Sequence, residues 1–124
     1  DWIETKKNND GNYLELNVPA GKTIYMIQYL EEFKPGKNYL VRWKAKGNSG
    51  NKYRIYVEWN DNSRQGKPDF LKSSGLSGTP KPAWSSAEYK FIPPGNGYAN
   101  PYIVIYVKGP GRFGFTNLEI SKTE

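Results

Sequence analysis

Apolar and polar residues alternate with a period of two wherever the chain is not rich in turn residues. No stretch repeats apolar positions at i, i+3, i+4 and i+7 beyond about two turns, so the pattern predicts strands and no helix. A first strand is predicted from Trp2 to Lys6, followed by the hairpin signal Asn-Asn-Asp-Gly at 8 to 11. The next, at 13 to 18, puts Leu14, Leu16 and Val18 on one face and Tyr13, Glu15 and Asn17 on the other. Residues 23 to 30, TIYMIQYL, carry apolar or aromatic groups on both faces and read as a central strand covered on both sides.

Further strands are predicted at 38 to 46, 52 to 61, 87 to 92, 101 to 109 and 112 to 121, each bounded by Pro, Gly or Asn turns. Residues 62 to 83, rich in Gly, Pro and Ser, read as one long loop broken by Phe70, Leu71 and Leu76. About eight short strands without helical crossovers predict an all-β antiparallel sandwich. At 124 residues the chain is the size of one domain, and a single domain over 1–124 is expected. No run of 18 or more apolar residues is present, so no transmembrane helix is expected.

Phase along the strands separates core rings from candidate site rings. In 52 to 61, Tyr53, Ile55, Val57 and Trp59 alternate with Arg54, Tyr56, Glu58 and Asn60. In 101 to 109, Ile103, Ile105 and Val107 alternate with Tyr102, Val104, Tyr106 and Lys108. If the two strands share a sheet, one face joins flat rings to hydrogen-bonding side chains. A sugar needs both: its C–H face packs on a ring, and its hydroxyls take donors and acceptors at the edge. The plainer reading is that wet-face tyrosines are good β-formers making cross-strand pairs. Trp43 and Trp59 share phase with aliphatic neighbours and are expected in the core, whereas Trp2 and Trp84 flank strands. Phe70 reads equally as a ligand contact or as a plug that pins the loop.

Composition narrows the chemistry. With no Cys and no His, the thiolate, imidazole and Ser-His-Asp routes are closed, as are zinc sites built from N and S ligands. Catalysis would rest on paired carboxylates, yet Glu58 alone lies amid the mixed face, while Glu15, Glu88 and Glu119 lie on separate strands. Four Trp, ten Tyr and five Phe exceed what a core of this size uses. The net charge of +6 leans toward an anionic partner, but the basic residues are scattered and form no phosphate-binding tract, so nucleic acid is not expected. Asp61 and Asp69 are the candidates for a calcium site, and a charged turn is the simpler account.

Several segments resemble the jelly-roll carbohydrate-binding modules of families 4, 9, 16 and 22, family 16 above all. They are FKPGKNYLVRWKAKG at 33 to 47, YRIYVEWND at 53 to 61, Trp84 ahead of YKFIPP, YIVIYV at 102 to 107 and FTNLEI at 115 to 120. The resemblance spans nearly the whole chain and implies a secreted, bacterial, monomeric module. Such modules bind polysaccharide, contact no membrane, and are linked to a polysaccharide-degrading catalytic domain. By position it implies ligand contacts at Trp2, Glu58 and Tyr106. The family's Gly-x-Phe-Glu opening and its closing Asp-Asp pair, which help hold a structural calcium, are replaced here, the pair reading Thr116-Asn117, so no cofactor is expected. Together the two lines of reading give Trp2, Arg54, Tyr56, Glu58, Trp84, Tyr102 and Tyr106 as ligand-binding candidates for a β-glucan, mannan or xylan. An adhesion or assembly jelly roll of a phage tail or surface protein, and a small glycosidase or lyase, are the alternatives.

Overall fold

In a computed structural model the described residues are 3–8, 11–31, 33–34, 36–61, 69–72, 75–93, 98–116 and 118–123; the side chains at 8, 60, 61, 69–72, 98 and 99 are outside the description. Trp2 and Asn117 therefore lie outside the described residues. The elements are β1 (Ile3–Asn8), β2 (Gly11–Val18), β3 (Thr23–Tyr29), β4 (Asn38–Asn48), β5 (Tyr53–Asp61), β6 (Asp69–Lys72), β7 (Leu76–Gly78), β8 (Ser85–Phe91), β9 (Tyr98–Lys108), β10 (Gly111–Thr116) and β11 (Glu119–Thr123). No helix occurs among the described residues, so none there is long and apolar enough to cross a membrane.

These strands form two antiparallel sheets packed as a β-sandwich, and the chain passes between the sheets repeatedly, at β2-β3, β3-β4, β4-β5, β7-β8, β8-β9 and β9-β10. One sheet runs β1-β2-β10-β4 with β11 continuing the β10 edge, and β8 on the other side of β4. The second runs β3-β9-β5, with β6 and β7 lying one after the other along the far edge of β5, against its residues 58–61 and 53–55. Period-2 alternation feeds the space between them. Leu16, Val41, Trp43, Phe113 and Phe115 from the first sheet meet Ile55, Val57, Trp59, Ile105 and Val107 from the second. Both expected core tryptophans are there. The indole N–H of Trp43 donates to the hydroxyl of Tyr53 at 3.2 Å, which joins the sheets and satisfies two buried polar groups at once.

Three expectations are corrected. The segment 112 to 121 is two strands: Phe115 faces Ala45 and Glu119 faces Arg42, so four steps on one side match three on the other and the two pairings do not share one register. The long loop contains β6 and β7, because β5 offers an unpaired edge that a polar segment can satisfy as well as an apolar one can. Gly75, between them, has φ +64°, and a Cβ there would stand 2.7 Å from the Ile55 carbonyl oxygen and from the Tyr56 Cβ, so this close approach requires glycine. The third correction is β3. Among the described residues it pairs only with β9, so it is an edge strand, with Ile24 in the core and its other face open to solvent.

Candidate functional site

The outer face of the second sheet is built of three rungs, each crossing β3, β9 and β5. Cross-strand register aligns Tyr25 with Tyr106 and Arg54, then Ile27 with Val104 and Tyr56, then Tyr29 with Tyr102 and Glu58. The first and third rungs are four residues apart on every strand, about 13 Å at the usual strand rise. Each of these two rungs presents two rings and ends in a charged group. Tyr25 and Tyr106 touch at 4.9 Å between centroids, and Tyr29 and Tyr102 at 5.7 Å. The middle rung sits lower at Val104 and Tyr56, which are buried, so two aromatic ridges border a shallow trough that crosses the strands.

Exposure sorts the rings. Tyr25 is 61% exposed, Ile27 53% and Tyr29 75%, and Tyr106 keeps part of its surface. Tyr56 and Tyr102, expected as stacking rings, are only 6% and 8% exposed. The reason is local packing. The Arg54 guanidinium lies 5.6 Å from the Tyr56 ring centre, the backbone at Gly75 closes on the base of Tyr56, and Tyr29 leans on Tyr102. These two rings and Val104 form an apolar cluster of their own, separate from the core. Val104 and Tyr56 are the floor of the trough, Tyr102 is the covered base of its ridge, and the rings with free area are Tyr25, Tyr29 and Tyr106.

Two polar side chains frame the trough. The Tyr102 hydroxyl donates to Oε1 of Glu58, which pins that carboxylate; a carboxylate can accept about four hydrogen bonds, so acceptor capacity remains. Burial, and after it the hydrogen bond and charge of Glu58, push the Tyr102 phenol above its ordinary range. Burial, followed by the charge of Glu58, also raises Tyr56. A group whose folded pKa is raised gives stability that is complete below the unfolded value, near 10 for a phenol, and is lost as pH climbs past it. Alkaline titration of tyrosinate absorbance should therefore show late components, the latest of which Tyr102→Phe removes and Glu58→Gln moves earlier. A titration unchanged by either substitution would contradict the Tyr102 and Glu58 contact.

Of the residues expected from sequence, Arg54, Tyr56, Glu58, Tyr102 and Tyr106 come together on this face. Trp84 does not: it lies on the outer face of the other sheet, edge-on to Tyr13. The side chain of Asn60 is outside the description, and so are those of Asp61, Asp69 and Phe70, although Asp61 and Asp69 face each other in the backbone ladder. No group of three or more His, Cys, Asp or Glu that could hold a metal occurs among the described residues. Tyr25, Ile27 and Tyr29 were missed, although their shared phase in TIYMIQYL was the available signal. A concavity of about 520 Å³ on the other sheet, between Arg42, Lys44, Ser86 and Glu119, offers no ring face, since Trp43 beneath it is buried.

No protein-family model matches the chain, and no curated protein matches its sequence. Solved structures do match its backbone. A family 16 carbohydrate-binding module superposes with a TM-score of 0.72 at 15% identity over 97% of this chain and 85% of its own. The fold is the jelly roll of the carbohydrate-binding modules. The CBM22-2 xylan-binding domain from Paenibacillus barcinonensis gives 0.71 at 13% identity, covering 98% of this chain and 86% of that one. The enzymatically active domain of bacteriophage CBA120 tailspike protein 4 gives 0.73 at 18% identity, over 99% of this chain but 18% of the tailspike chain.

Proposed function

We propose that the protein is a non-catalytic module that holds a linear, uncharged polysaccharide in the trough on the outer face of the β3-β9-β5 sheet. The observation that carries this reading is the register itself. It sets two aromatic ridges, Tyr25 with Tyr106 and Tyr29 with Tyr102, on either side of a floor made by Val104 and Tyr56. A sugar chain lying across the strands packs its C–H faces on the exposed rings, while Arg54 donates to hydroxyls and Glu58 accepts from them. Within the three rungs Arg54 and Glu58 balance, one cation against one anion, and Lys108 stands one rung beyond them, which suits a neutral glycan. Binding is the fitting role for a site open to solvent along its length. Glycoside cleavage needs two carboxyl groups flanking the bond, and among the described residues Glu58 is the one carboxylate on the face.

Neighbours of the same fold include a xylan-binding domain and a module in complex with β-1,4-galactotriose, which supports a saccharide ligand of this general kind. A single domain over residues 1–124, secreted and linked to a polysaccharide-degrading catalytic domain, is the setting in which such a module works. Likeness to the tailspike favours a second reading, in which the same sandwich is an assembly or adhesion domain. Affinity electrophoresis in gels holding xylan, glucan, mannan or galactan separates the two. Retardation by at least one neutral polymer, unaffected by salt, is the expected result. Unchanged mobility in all of them would leave the assembly reading in its place.

A further inference from the structure

The opposite face of the sandwich carries a second cluster whose chemistry differs from that of the trough. Near the β1-β2-β10-β4 end, Tyr13 and Trp84 meet edge to face at 5.1 Å, and the Lys46 ammonium stands 4.7 Å from the centre of each ring. Beside them opens a cavity of about 420 Å³ whose lining includes Lys6, Tyr13, Glu15, Lys46, Asn48 and Arg112. Gly114 forms part of that lining; a Cβ there would come within 3.4 Å of the Lys46 stem and 3.5 Å of the Tyr13 ring, so its absence lets both lie low over the sheet.

Glu15 is what makes this more than a scatter of surface charge. Its phase is that of a solvent-facing residue, yet it is 5% exposed. The Lys6 ammonium lies 2.6 Å from Oε2 and the Arg112 Nε 3.5 Å from Oε1. A buried carboxylate is costly unless paired, and the pairing here draws two long cationic side chains, Lys6 partly and Arg112 mostly exposed, to the wall of one cavity. With Lys46 the lining holds three cations against one anion, so a +2 excess faces the opening. The excess is preorganised, since Glu15 restricts side chains that would otherwise sample many rotamers.

We infer that this cavity is a second binding site, specific for a negatively charged sugar unit. Its carboxylate or sulfate ester is held by Lys46, Lys6 and the Arg112 fork, and its pyranose ring lies against Trp84. The site is independent of the trough, lies on the other face of the sandwich and does not rest on the neutral-chain reading.

Tryptophan emission distinguishes the two sites. Trp43 and Trp59 are buried, and the rings described on the trough face are all tyrosines. In a Trp2→Phe background, ligand-dependent emission therefore reports Trp84. The titrants are an oligogalacturonate, a sulfated dextran oligosaccharide, a neutral cello-oligosaccharide and single-stranded DNA, each at low and high salt. The expected result is an emission change with the uronate or the sulfated sugar, with binding weakened by salt. Which of the two acts at lower concentration identifies the anionic group. Lys46→Gln with Arg112→Gln should weaken this binding at least tenfold while leaving neutral-glycan retardation and the circular dichroism spectrum unchanged. Three results would overturn the inference: no response to either acidic sugar, a response unaltered in the double variant, or DNA binding as tightly as the sugars. Loss of neutral-glycan binding would count against the trough alone.

Discussion

Replacing Tyr25 and Tyr106 together by alanine is expected to weaken binding of the neutral glycan by about 30- to 150-fold, or about 2 to 3 kcal/mol. The two rings touch at 4.9 Å and form one of the two ridges. Tyr25 is mostly exposed and Tyr106 partly so, and neither is needed to close the space between the sheets. Stability should therefore change far less than affinity. Tyr25→Ala with Tyr29→Ala removes the open ends of both ridges and should cost a similar amount. Isothermal titration with the polymer that retards the protein gives the affinities, and thermal melting gives the control. Unaltered affinity in both double variants, with the fold intact, would place the ligand elsewhere.

The second large effect is on the fold itself. Phe113→Ala is expected to cost about 3 to 5 kcal/mol, a large share of the roughly 5 to 15 kcal/mol that holds a typical small protein together. Phe113 is fully buried, with Leu16 beside it on one neighbouring strand and Gly47 on the other. Its partner on the same face, Phe115, meets Tyr53 of the opposite sheet edge-on at 5.0 Å. Removing the Phe113 ring leaves a cavity at the middle of the sandwich that strands tied on both sides cannot close. Urea unfolding should show a lower midpoint with the same slope. A loss below about 1 kcal/mol would mean that the sheets are not packed through this residue.

The sequence was most legible where a strand has one dry and one wet face. In β5 the alternation is clear, so Tyr53, Ile55, Val57 and Trp59 read as core, and Arg54, Tyr56 and Glu58 read as the outer set, which is where they stand. β3 was misread for a physical reason. Hydropathy does not separate a ring that faces a core from one that faces water, so Tyr25, Ile27 and Tyr29 looked like the second buried face of a central strand. Tyr56 and Tyr102 show the converse: they are on the expected face but are covered by neighbours that only the tertiary fold brings near. Glu15 repeats the lesson with a charged group, since its burial depends on Lys6 across a hairpin and Arg112 nearly a hundred residues away. β6 and β7 were illegible because their pairing is set by the open edge of β5, not by any propensity of a Ser- and Gly-rich segment.

The most direct test of the neutral-chain site is amide chemical-shift mapping of the protein titrated with xylo-, cello-, manno- and galacto-oligosaccharides. Shifts should concentrate on residues 25 to 29 of β3, 102 to 106 of β9 and 54 to 58 of β5, with the β2-β10-β4 face unmoved. Shifts confined to that opposite face, or none with any of the four sugars, would contradict the assignment of the trough.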